Sequence, residues 1–172
     1  MKKLFSVFLI VSLIILISAC ASTPPAPVNK TVNFYYCTEA VVYDSPDGVI
    51  APEKREYDLN TNTLEALLNL YLRGPVHKSF VSPFPDGVYA ESIIMSNNRI
   101  HITLSSVFSD LKGLDLTLAC ICISKTAQEL ASVDYVYINY EDSLTGKQNS
   151  VTIGPDSYLL YEDGEHVVTS EE

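Results

Sequence analysis

Thiols are the most reactive side chains in this chain of 172 residues, and their placement separates one cysteine from the other three. Cys20 stands at the end of a run in which sixteen residues, Leu4 to Ala19, carry no charge; Lys2 and Lys3 precede the run and the small pair Ser18-Ala19 closes it. A thiol delivered to a membrane surface can accept lipid, and each buried methylene then contributes about 0.8 kcal/mol. Cys37, Cys120 and Cys122 remain, an odd number that cannot all pair within one chain. Cys120-Ile121-Cys122 lacks the two-residue gap and distant partner ligands of a zinc site, and it lies in an apolar run where thiols act as small hydrophobes. Buried structural thiols are therefore expected. A disulfide from Cys37 to one of the pair is the alternative, and metal binding ranks below both, so no cofactor or metal is expected.

Other chemistry is sparse. No Gly-x-Ser-x-Gly elbow, His-Glu-x-x-His pair, phosphate loop or dinucleotide fingerprint occurs. His77, His101 and His166 are scattered, and pairs such as Glu141-Asp142 and Glu162-Asp163 lack the alternating oxygen ligands of a calcium loop. Both read as solvated charge. Eleven tyrosines invite carbohydrate stacking, but most lie in strand-like segments where aromatic residues are expected anyway. Tyr35, Tyr135 and Tyr137 are the ones placed on an outer sheet face.

The leader positions all of this relative to a membrane. A basic start, an apolar run and small residues before a cut site make a secretory signal, and sixteen residues are short for a span of roughly 20. Ile17-Ser18-Ala19-Cys20 resembles the lipobox of bacterial lipoproteins, which implies cleavage after residue 19 and acylation of Cys20. Residues 1–19 are then a signal peptide, and the mature chain sits on the outer face of the cell membrane. Residues 21–30 carry three prolines and almost nothing that could pack. Such a tether extends at about 3.1 Å per residue, which keeps the folded part within roughly 30 Å of the bilayer. Without Lys2 and Lys3 the chain has nine basic residues against 21 acidic ones, a formal charge of −12. That disfavours nucleic acid and flat binding to anionic headgroups, both of which call for a basic patch.

Beyond the tether, Val32, Phe34 and Tyr36 alternate with Asn33 and Tyr35, which predicts a strand from Thr31 to about Tyr43, and Lys54 to Leu59 suggests a second. Asn60 to Thr63 offer N-caps before Leu64, Leu67, Leu68 and Tyr71, the spacing of a one-faced helix that Gly74-Pro75 stops. Ser82-Pro83-Phe84-Pro85-Asp86-Gly87 predicts a stiff lead-in and a turn. Asn97-Asn98 then joins two strands in a hairpin, Val88–Ser96 and Arg99–Leu104. The length of the apolar stretch 113–131 favours a helix over a strand, and Asp134 to Tyr140 alternates as a closing strand. Thr145-Gly146-Lys147 predicts a turn, Ser150 to Ile153 and Tyr158 to Tyr161 suggest short strands, and an acidic tail follows. The order β(β)αββαβ implies an α+β fold in which a single mixed sheet carries two helices on one face.

Three landmarks share one pattern: Leu70-Tyr71-Leu72-Arg73-Gly74-Pro75 at a helix end, the Ser82 to Gly87 turn, and then hairpin, helix and strand. The pattern resembles the GerMN domain of sporulation and spore germination, over about residues 31–142. The resemblance implies a fold similar to ring-building modules, and an extracytoplasmic, often lipidated protein that works by assembly with envelope partners, itself included. No counterpart of residues 143–172 follows from it. The expected function is non-enzymatic partner binding in the cell envelope; a lipoprotein that binds cell-wall glycan or a small ligand is the alternative. Leu116, Cys120 and Ile123 wrap the helix 113–131 and join the three tyrosines as expected interaction surface. A helix that is apolar all round needs cover from a second side, either another protein or the C-terminal residues Tyr158, Leu159 and Leu160.

Overall fold

The computed structural model describes residues 29–39, 49–58, 62–155, 159–162 and 166–169. The leader, Cys20, residues 21–28 of the tether, the turn cluster at 44–48 and Tyr158 lie outside them, while Asn29 and Lys30, expected in the tether, begin the first strand. Strand β1 (Asn29–Thr38) pairs antiparallel with β2 (Ile50–Asp58), and its last residues pair with the short β3 (Phe80–Val81). Helix α1 (Leu64–Leu72) lies between β2 and β3 in sequence. The Asn97 hairpin joins β4 (Ala90–Ser96) to β5 (Arg99–Leu104). A 3-10 turn, Ser106–Asp110, leads to helix α2 (Gly113–Ala131), which crosses over to β6 (Tyr135–Glu141), parallel to β5. Then β7 (Gln148–Ile153) completes a four-stranded sheet of order β4-β5-β6-β7. Finally β8 (Leu159–Glu162) and β9 (His166–Thr169) pair with each other, β8 running beside α2 and β9 beside β7.

The α+β class stands, and both helices fall where the hydrophobic spacing places them. The single sheet does not: two separate sheets, of three and four strands, replace it. Both helices do lie on one face of the four-stranded sheet, α1 against β4 and α2 against β6 and β7. Helix α2 packs between the sheets, against the inner face of the four-stranded sheet and along β1 of the other. The reason is on the edge of β1, where N–H groups that another strand would bind are taken by side chains of α2. The backbone N–H of Tyr35 donates to Thr126 Oγ1 at 3.0 Å, and that of Asn33 to Glu129 Oε1 at 3.2 Å. A helix can cover a strand edge as effectively as another strand when it brings acceptors of its own.

One core joins the sheets. From the four-stranded sheet come Ile100, Ile102, Leu104, Val136, Ile138, Val151 and Ile153, all buried by simple alternation. From the other side come Phe34, Tyr36, Tyr71 and Phe84, whose rings meet at centroid distances between 5.0 and 6.4 Å. Their tilted and edge-on geometries suit aromatic packing. The two buried hydroxyls find partners: Tyr36 donates to the carbonyl of Tyr71 at 2.7 Å, and Tyr71 to that of Tyr35 at 2.9 Å. Thr63 caps α1 through the N–H of Ala66, and Gly74 ends it at φ 100°, a conformation that glycine alone adopts without strain. Gly87 closes the turn after Pro85 at φ 83°, with the N–H of Val88 donating to the Pro85 carbonyl.

Candidate functional site

The four-stranded sheet has two faces, and the described residues cover one. Its outer face carries Ile94 from β4, Arg99 and His101 from β5, and Tyr135 and Tyr137 from β6, brought side by side by the pairings Ile94 with His101, Arg99 with Tyr135 and His101 with Tyr137. Ile94 is 60% exposed and Tyr135 41%. The His101 imidazole lies flat on the Tyr137 ring, 4.3 Å between centroids and 12° between planes, and the Arg99 guanidinium sits 5.9 Å from the Tyr135 centroid. Tyr89, just before β4, adds a 53% exposed side chain nearby, whereas Met95, paired with the buried Ile100, takes the opposite face. The result is a flat surface of aromatic, aliphatic and cationic groups, the composition in which interface hot spots are enriched.

Tyr135 and Tyr137 thus stand where the sequence reading places them, but Tyr35 does not. Its hydroxyl donates to Glu129 Oε2 at 3.1 Å and its ring lies 5.5 Å from Lys125 Nζ, so it is half-buried against α2. Burial, then the negative Glu129 beside it, raises its pKa. The expected surface on α2 also moves inward: Cys120 and Ile123 are buried in the core and Leu116 packs against it. Their apolar character is spent on the chain's own sheets, and burial pushes the Cys120 thiol up to about 12. Leu114, at the start of α2, is exposed instead.

A second cluster escaped the sequence reading. Ala51, Glu53, Arg55 and Tyr57 form the inward face of β2, so an ion pair points at the aromatic core from an edge strand. Glu53 takes the N–H groups of Val76 and His77 at 2.9 and 2.6 Å and the Arg55 Nε at 2.6 Å; Arg55 in turn donates to the Gly74 carbonyl at 3.0 Å. The Arg55 guanidinium also lies 5.0 Å from the Phe34 ring centroid. A cavity of about 720 Å³ opens beside this clamp, lined by Glu53, Arg55, Val76, His77 and Phe80 among others. The charges of the clamp are already matched to each other and to the loop after α1, which assigns them to holding that loop. The signal in the sequence was Glu53 and Arg55 two apart on one strand face, with an apolar residue on either side. No group of three metal-ligating side chains converges among the described residues, and none of their helices is long and apolar enough to cross a membrane.

Comparison with known proteins finds a family model, Germane, described as sporulation and spore germination, matching residues 33–144. Among solved structures, the first GerMN domain of the sporulation protein GerM from Bacillus subtilis matches with a TM-score of 0.52 at 14% identity, over 73% of this chain and 98% of that one. A candidate lipoprotein of Clostridium perfringens matches with a TM-score of 0.40 at 15% identity, over 80% of this chain and 94% of that one. No curated protein matches.

Proposed function

The chain belongs to the Germane family of sporulation and spore germination, and on that premise we propose that it is a non-enzymatic lipoprotein, anchored by Cys20 at the outer face of the cell membrane, whose domain binds envelope proteins. The observation that carries the binding role is the open outer face of the four-stranded sheet. Sheets of this kind bury one face and hydrate the other, and a hydrated face is ordinarily polar. Here it presents Ile94, Tyr135 and a histidine-tyrosine stack. The anchor rests on the leader and on the tether, which would hold this face within reach of other membrane proteins.

The glycan reading is weaker for a geometric reason. A sugar ring needs the free face of an aromatic ring, but His101 already covers one face of Tyr137 and the Arg99 guanidinium lies beside Tyr135. A protein partner can use edges, hydroxyls and the neighbouring Ile94 at once. Photo-crosslinking from position 94 or 135 in the native envelope tests the proposal. A discrete protein adduct, to another envelope protein or to a second copy, supports it. Sedimentation of the domain with peptidoglycan that is lost in Tyr135→Ala, with no protein adduct, would overturn it in favour of glycan binding. Labelling with a palmitate analogue tests the anchor, since Cys20→Ala removes the acceptor thiol. Counting heat-resistant spores after gene deletion tests the role in sporulation.

A further inference from the structure

Three thiols are left unused by this reading, and two of them meet. Along the edge of β1, Asn33 faces Glu129 and Tyr35 faces Thr126. Two residues of strand advance about 6.6 Å and three or four residues of helix about 4.5 to 6 Å. The strand and the helix therefore stay nearly in step, and the next pair is Cys37 with Cys122. The register sets the two thiols beside each other, close enough for each to shift the other's ionisation.

The two differ in access. Cys122 is buried, whereas Cys37 is partly exposed and lines a cavity of about 400 Å³ with Val81, Ser82, Phe84 and Leu118. The third thiol, Cys120, is buried and does not line that cavity. The neighbouring Cys122 thiol holds the Cys37 pKa down, against burial and the nearby Asp115, and favours Cys37 as the nucleophile, while Cys37 and burial push Cys122 up.

We propose that Cys37 and Cys122 are a redox modification site, closed into a disulfide by a small-molecule disulfide that enters the cavity beside Cys37. The Cys37 thiolate attacks one sulfur of the reagent, whose S–S bond breaks and releases one thiolate. Cys122 then attacks Cys37 Sγ, gives up its proton, and displaces the second thiolate. The protein loses two electrons and two protons, and the reagent is reduced to two thiols. The product ties β1 to α2 covalently at the edge that Thr126 and Glu129 hold by hydrogen bonds. In the cell the oxidant depends on the extracytoplasmic location proposed above. The chemistry does not, so it can fail or succeed on purified protein while palmitate labelling judges the location.

The test uses the full chain purified in detergent, exposed to oxidised glutathione, quenched with N-ethylmaleimide and digested without reduction. A peptide linking Cys37 to Cys122, assigned by fragmentation, is expected, with the melting temperature raised by roughly 5 °C or more. Before oxidation, Cys37 should be alkylated at least about tenfold faster than Cys120. Cys120→Ser should leave the link intact, and Cys122→Ser should stop at a glutathione adduct on Cys37. Should the variants fail to fold, the peptide map of the parent decides alone. A link to Cys120, a stable adduct on Cys37 of the parent, or no reaction until denaturant is added would each overturn the proposal.

Discussion

The two sheets solve the same problem with different materials. The four-stranded sheet is held by alternation: every second residue of β5 and β6, with Val151 and Ile153 of β7, is an aliphatic or aromatic group facing the core, and the described residues leave the opposite face free. The three-stranded sheet depends on polar cross-links, with Glu53 and Arg55 pointing inward from β2 and Thr126 and Glu129 satisfying the edge of β1. Its edges are thereby closed to further strands, one by inward charge and the other by a helix. The difference assigns the roles: the polar sheet is finished on its flanks, and the aliphatic sheet keeps a face for something else.

The comparison breaks most easily at Glu53. Glu53→Ala would strand Arg55, whose side chain is only 12% exposed, and leave the N–H groups of Val76 and His77 without their acceptor. Removing one partner of a buried pair costs about 3 to 5 kcal/mol, against a total stability of about 5 to 15. Urea denaturation should show this as an earlier midpoint. Replacing both residues, Glu53→Met with Arg55→Leu, should cost less than Glu53→Ala alone, because no charge is then left buried. A loss below about 1 kcal/mol in Glu53→Ala would mean that the clamp is incidental.

Gly74→Val strikes the same loop through the backbone. At φ 100° a β-branched residue is strained by on the order of 1 to 2 kcal/mol, although a Cβ there would meet Ser82 only at ordinary contact distance, 3.5 Å. The carbonyl of Gly74 is the one that Arg55 holds, so strain would pass to the clamp. A melting temperature within a degree or two of the parent would show that the loop gives way freely.

These contrasts also decide what could be read from the sequence. The aliphatic sheet was legible because period-two alternation in β5 and β6 encodes both strand and face, and the bounds of α2 followed from the length of its apolar run. The polar sheet was not. Thr126 and Glu129 look like the solvent side of a helix until the edge of β1, more than 90 residues away, is brought against them. Tyr35 was assigned outward for the same reason: alternation tells which face a residue takes and cannot tell what packs there. Separating one sheet into two needed the same long-range fact, since no local signal says that β1 ends its pairing on a helix.

Thr126→Val sharpens the comparison on the other edge. The substitution keeps the shape and removes the acceptor, leaving the Tyr35 N–H unpaired at a buried position. About 1 kcal/mol is expected, within the usual 1 to 3 for an unsatisfied group. Native-state hydrogen exchange should find the Tyr35 amide less protected while the amides of β5 and β6 keep their rates. Equal protection at Tyr35 would show that the edge does not rely on α2.

The smallest effect on stability belongs to the open face, and it matters because it is small. Tyr135 and Ile94 are 41% and 60% exposed, and no element of the chain covers them among the described residues. Tyr135→Ala or Ile94→Ser should therefore change stability by no more than about 0.5 kcal/mol, a shift of roughly 2 to 4 °C at most. Tyr137 would be a poorer probe, because its stack on His101 adds about 0.5 to 1.5 kcal/mol and confuses folding with binding. If the face is an interface, the double variant Ile94→Ser with Tyr135→Ala should melt with the parent while crosslinking from a neighbouring position such as Ser92 or Thr152 loses most of its adduct. A double variant that melts much earlier would place these side chains in the structural economy of the sheet. One that melts normally and still crosslinks fully would remove the open face from the account of binding, and leave the difference between the two sheets as a matter of folding alone.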